Sequence, residues 1–178
     1  MKKLYLLLPI LLIVGCSNDL EEYNIDDLIQ KDNVWIKKFS DEKPNGSVYF
    51  IFDGKKVTLG NLKDGEMNGK WILWYENGKK KEEITYKNGK LDGLNTGWYE
   101  NGQKSNKGTF KDGKLDGLYT DWYENGKKDS EGTVKNGKKN GLYTDWYENG
   151  QKSSEKTYND GEVVELIGKW NEDGSVKE

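Results

Sequence analysis

Histidine is absent from the 178-residue chain, and cysteine occurs once, at Cys16. Without histidine the usual general base, the Ser-His and Cys-His nucleophile pairs and the commonest zinc ligand are all missing. With one thiol no disulfide can staple the fold. Long apolar runs are also missing: the longest, Leu4 to Val14, reaches about 16 Å as a helix, against a hydrocarbon core of about 30 Å. Hydrophobic residues make up 33% of the chain although 12% is aromatic, too little apolar matter for a two-layer core along its whole length, which points to a single-layer sheet.

The leader "MKKLYLLLPILLIVGC" has the parts of an export signal: Lys2 and Lys3, a short apolar run, then small residues. Ile13-Val14-Gly15-Cys16 resembles the bacterial lipobox, which implies that Cys16 becomes the lipidated, palmitate-bearing first residue of the mature protein. Residues 1–15 are therefore read as a lipoprotein signal peptide and 16–33 as an acidic tether with one helical turn. Ser17, in place of an aspartate, implies sorting to the outer membrane in a Gram-negative host. Removing residues 1–15 takes two lysines and no acids from the 28 basic and 31 acidic residues, leaving a net charge of −5. A mildly acidic, interspersed surface argues against nucleic acid as a partner.

Beyond residue 33 the chain repeats. "WYENG" begins at Trp74, Trp98, Trp122 and Trp146, a degenerate "WNEDG" at Trp170, and "FIFDG" at Phe50, each step being 24 residues. A second turn signal keeps the same step: Asp64-Gly65, Asn88-Gly89, Asp112-Gly113, Asn136-Gly137 and Asp160-Gly161. Two turns per period mean two strands per period. The fold class expected is all-β: an extended, twisted, single-layer antiparallel sheet of consecutive β-hairpins over residues 34–178, with turns near 54, 78, 102, 126, 150 and 174. Such a ribbon is roughly 50 Å long at about 4.8 Å per strand. An odd loop, such as a three-residue Glu-Asn-Gly turn with glycine in αL, is expected to bring Leu118, Trp122 and Val134 onto one face. The columns Leu94, Leu118, Leu142, Leu166 and Tyr86, Phe110, Val134, Tyr158 are expected to form a buried stripe along the sheet.

The stretch Gly113 to Lys128, "GKLDGLYTDWYENGKK", resembles the bacterial form of the MORN repeat, and the overall pattern is similar to YwqK-type MORN-repeat proteins from Phe50 to Gly174. The resemblance implies the hairpin fold and a role in protein interaction or membrane association; some YwqK-type members carry an antitoxin label. The first and last units depart from the pattern, as capping repeats do. No catalytic role is expected. The recurrent Glu76, Glu100, Glu124 and Glu148 read as solvated turn residues, and "KDGKLDG" reads as turn chemistry without a calcium-ligand ladder. No cofactor or metal is expected. Candidate interaction residues are the paired aromatics Trp74, Tyr75, Trp98, Tyr99, Trp122, Tyr123, Trp146 and Tyr147, displayed either to another envelope protein or, alternatively, to envelope glycans or lipid headgroups. An antitoxin or immunity-like role is a further alternative.

Overall fold

The computed structural model describes residues 21–177; Cys16 and the signal-like leader lie outside the described residues. The strands are β1 (Glu21–Asn24), β2 (Leu28–Lys31), β3 (Val34–Lys37), β4 (Gly46–Phe52), β5 (Lys55–Lys63), β6 (Glu66–Trp74), β7 (Lys80–Lys87), β8 (Lys90–Trp98), β9 (Lys104–Lys111), β10 (Lys114–Trp122), β11 (Lys128–Lys135), β12 (Lys138–Trp146), β13 (Lys152–Asn159) and β14 (Glu162–Lys169). Twelve of them form one sheet in the order β1-β4-β5 and then consecutively to β14, while β2 and β3 form a separate hairpin. From β4 onward every neighbour is antiparallel, the meander of hairpins that two turn signals per period dictate.

The two rims turn differently on the same dipeptide. At one rim Asn88, Asp112, Asn136 and Asp160 have positive φ and are followed by positive-φ glycines, the two-residue turn that fits a hairpin's twist. At the "WYENG" rim the asparagine keeps an ordinary φ and only the glycine, such as Gly126 at φ 81°, is left-handed. There Tyr123 accepts from the Gly126 amide at 2.9 Å and donates to Lys127 at 2.9 Å, closing a three-residue Glu-Asn-Gly loop. The odd loop inferred from the sequence is present.

Its expected consequence is not. After Trp122 pairs with Lys128 the register slips, and Asp121 pairs with Ser130, leaving Asp129 as an extra bulged residue. The bulge cancels the odd count of the loop. Val134 therefore lies opposite Gly117, on the face of Tyr119, while Leu118 and Trp122 share the other face with Thr133 and Glu131. The leucine column is not a buried stripe either: Leu94, Leu118, Leu142 and Leu166 are 44%, 59%, 50% and 52% exposed.

The segment expected as an acidic tether is ordered from Glu21. β1 runs parallel to β4, a single 3-10 turn spans Ile25–Asp27, and β2 begins the side hairpin. The reason is apolar: Tyr23 and Leu28 complete a cluster with Val48, Leu62 and Trp71, flanked by Ile25, Trp35, Leu59, Met67 and Tyr86. Here the side hairpin forms a second layer, tied to the sheet by Trp35 N–H to Gly65 O at 2.8 Å. β5 and β6 pair at three positions next to their turn. Beyond these pairs the Trp71 indole lies over Gly60, where a Cβ would come within 2.4 Å of the ring, and donates to Asn61 O at 3.0 Å.

Candidate interaction face

Alternation along the strands gives the repeats two unlike faces. One carries Leu94, Thr96 and Trp98, Leu118, Thr120 and Trp122, Leu142, Thr144 and Trp146. The other carries Phe110, Leu115, Tyr119, Val134, Tyr143 and Tyr158, with the registers setting which partners oppose them.

On the tyrosine face, large and small residues alternate across one row. Asn95 lies opposite Gly108, Gly108 opposite Tyr119, Tyr119 opposite Gly132 and Gly132 opposite Tyr143. Tyr143 covers Gly132 so closely that a Cβ there would come within 1.9 Å of the ring. A glycine that would weaken a strand is thus covered by its neighbour's ring. Tyr119 donates to Asp121 at 2.8 Å, Ser130 lies 3.3 Å from both Asp121 and Tyr143, and Ser154 donates to Asp145 at 2.5 Å. Burial raises Asp121 above the usual aspartate range, its hydrogen bonds from Tyr119 and Ser130 opposing this in part. The same burial, with the hydrogen bond to Asp121, raises Tyr119. These groups satisfy one another, and Ser130 faces a carboxylate at a long hydrogen-bond distance rather than a nitrogen base.

The "WYENG" residues serve their neighbours. Each tyrosine donates to the next unit's tryptophan carbonyl: Tyr75 to Trp98 and Tyr99 to Trp122 at 2.6 Å, Tyr123 to Trp146 at 2.8 Å, Tyr147 to Trp170 at 2.9 Å. Burial lifts Tyr123 to about 12, with the carboxylate of Asp129 adding to it. Three turn asparagines reach the next turn's glutamate carbonyl, Asn101 to Glu124, Asn125 to Glu148 and Asn149 to Glu172 at 2.6–2.9 Å, while at the first such turn Lys79 donates to the Glu100 carbonyl at 2.9 Å. At the opposite rim the amides of Asn88, Asp112 and Asn136 meet the side chains of Asn68, Asp92 and Asp116. The tyrosines of the candidate set are therefore lateral ties between hairpins.

The tryptophans lie half-buried on the leucine face. Lys80, Lys104, Lys128 and Lys152 place their ammonium groups 5.1, 5.9, 5.5 and 5.8 Å from the ring centres of Trp98, Trp122, Trp146 and Trp170. Three of these lysines also pair with a glutamate three residues on: Lys80–Glu83 and Lys152–Glu155 at 2.8 Å, Lys128–Glu131 at 2.7 Å. The buried threonines Thr120 and Thr144 donate to Glu131 and Glu155 at 3.0 Å. Lysine contacts hold all three carboxyls below the ordinary glutamate range, Lys70 being the first contributor at Glu83.

The second unit breaks the pattern, because Lys107 stands where the others have glutamate. Among the described residues neither Lys104 nor Lys107 has a carboxylate within 4.0 Å. Both line a depression of about 430 Å³ bounded by Leu94, Leu118, Thr109, Thr120 and Trp122, with Glu131, already engaged by Lys128, also in its wall. The repeat motif itself does not single out Lys107; its signal in the sequence is the reversal of charge at one position of the 24-residue step, Glu83, Lys107, Glu131 and Glu155.

Glu76, Glu100, Glu124 and Glu148 are exposed at the turns. Among the described residues no three histidine, cysteine or acidic side chains converge on a point that could hold a metal ion, and no helix is long and apolar enough to cross a membrane. No curated protein matches the chain. The family described as a MORN repeat variant matches residues 67–88, 91–112, 115–136 and 139–160, each stretch one hairpin.

Proposed function

With four MORN repeats across residues 67–160 as the premise, we propose that this chain is a non-catalytic protein-interaction scaffold, held at a bacterial membrane by a lipid on Cys16 and displaying its leucine-tryptophan face to another envelope protein. The observation that carries this is the division of labour in the repeats. The tyrosines and turn asparagines are consumed by bonds to the next unit, whereas Leu94, Leu118 and Leu142 stay exposed in a row with the lysine-flanked tryptophans. Aliphatic side chains held in water at a fixed spacing gain free energy only when something covers them. A protein surface does this better than a glycan, because the lysines already occupy the ring faces on which a sugar would stack.

The test is photocrosslinking from a probe at position 118 in membranes, comparing the otherwise intact protein with a form carrying Leu94→Asp and Leu142→Asp. Under the scaffold reading one protein crosslinks, and the two substitutions abolish it while the melting temperature holds. Retention on envelope glycan or on lipid vesicles, without a crosslinked protein, would sink it in favour of ligand binding. Cys16→Ala should release the protein from the membrane fraction and abolish palmitate labelling; an unchanged distribution overturns the anchor. An antitoxin role outside the cytoplasm would require the crosslinked protein to be toxic there.

A further inference from the structure

The lysine–glutamate pair of the leucine-tryptophan face recurs in every repeat except one, and the exception coincides with a concavity. Glu83, Glu131 and Glu155 each neutralise the lysine three residues before them. At the equivalent place in the second unit Lys107 adds a charge beside Lys104 instead, and buried Thr96 lies opposite an ammonium rather than a carboxylate. The nearest acids across the sheet in this row, Glu83 and Glu131, are two strands away on either side and engaged by Lys70 and Lys80 and by Lys128. Two cations without a carboxylate partner thus sit beside the exposed Leu94 and Leu118 and beside Trp122, around one depression whose wall also carries Glu131, held by Lys128.

We propose that this depression docks an acidic, aliphatic peptide segment of the partner protein, with a carboxylate seated between the Lys104 and Lys107 ammonium groups and aliphatic side chains over Leu94 and Leu118. The proposal rests on the scaffold reading and names the place and chemistry of its contact. The two leucines are two strands, about 10 Å, apart, which an extended peptide spans in three residues at about 3.3 Å each. A neutral glycan would have no use for two ammonium groups. A polyanion or an anionic membrane would meet Glu83, Glu131 and Glu155 in the flanking units, so the patch suits an isolated charge within an apolar segment.

Lys107→Glu tests this without endangering the fold, because it restores the residue that the other three repeats carry and offers Lys104 a partner. The probe is a fluorescein-labelled repeating Glu-Leu-Ser peptide, with a Gln-Leu-Ser peptide as control, titrated onto the protein at low and high salt. The glutamate peptide should bind about tenfold more tightly than the glutamine peptide, and less so at high salt. Lys107→Glu should erase that difference at an unchanged or raised melting temperature, and Glu131→Lys, which removes the acid from the wall of the same depression, should widen it. Equal binding of both peptides, or unaltered binding by Lys107→Glu, overturns the proposal, as does a preference for anionic vesicles that Lys107→Glu removes. If the position-118 crosslink persists while peptide discrimination fails, the docking place is wrong and the scaffold stands. If discrimination holds and no protein crosslinks, the scaffold reading fails instead.

Discussion

The N-terminal end and the repeats of this sheet are stabilised by different means. At the end, Val48 and Trp71 are 0% and 2% exposed, Tyr23, Leu28 and Leu62 close around them, and a side hairpin supplies a second layer. In the repeats the leucines face water, and beside the aliphatic Ile84 and Val134 much of what is buried is polar or shared: Thr120 and Thr144 on one face, Tyr143 against Gly132 on the other. The end is stabilised by area removed from water. The repeats are stabilised by lateral bonds, each small and each repeated, so their cohesion resides in the interfaces between units.

The largest expected effect lies at the end. Trp71→Ala removes the ring over Gly60 and the bond to Asn61, and should cost about 3–5 kcal/mol. Chemical denaturation followed by tryptophan fluorescence should show a second, earlier transition for the end; a loss below about 1 kcal/mol would mean that the apolar cluster is dispensable. Gly132→Val places a side chain where Tyr143 lies and should cost about 1–3 kcal/mol by overpacking, with hydrogen exchange rising in the third and fourth repeats and not at the end. Uniform loosening would contradict a division into locally coupled units. Tyr123→Phe deletes one lateral bond, to Trp146, and should cost about 0.5–1.5 kcal/mol; Tyr99→Phe should add to it, and a combined loss no larger than either alone would show that the ladder is not cumulative.

Acid should separate the two regions more gently. Glu83, Glu131 and Glu155 have folded-state pKa values below 4.5, so the stability they confer is fully present above about pH 4.5 and is lost as pH falls through the folded values. Asp121 works the other way. Its folded value is raised, so its ionisation weakens the fold and its protonation in acid restores that contribution. Loss of the three glutamate contributions should lower the melting temperature as pH falls below 4.5, with exchange increasing first in the repeats. Glu131→Gln should reduce that acid loss, by no more than the 1 kcal/mol or so typical of such pairs, and Asp121→Asn should raise stability at neutral pH.

The hairpin architecture was legible from Asn-Gly and Asp-Gly recurring at one spacing, and even the three-residue loop at "WYENG" could be inferred. The faces could not. They depend on Asp129 and its equivalents bulging out of the return strand, and nothing in "KDSEGTV" distinguishes a bulged aspartate from a paired one. The ordered start at Glu21 was hidden for another reason: its apolar residues, Tyr23, Ile25 and Leu28, are few, and their partners lie far along the chain at Val48 and Trp71. Among the candidate aromatics the tryptophans lie half-buried on the leucine face, whereas the tyrosine hydroxyls are already engaged in the next hairpin.

The tyrosine bonds all point the same way along the chain. In each pair the donor is upstream and the acceptor is 23 residues downstream. Each hairpin therefore holds its own backbone ladder but finds the recipient for its phenol only in the hairpin that follows. Because the tyrosine bond is the same at each of these junctions, whole repeats can be gained or lost in the middle of the array without leaving an orphaned phenol.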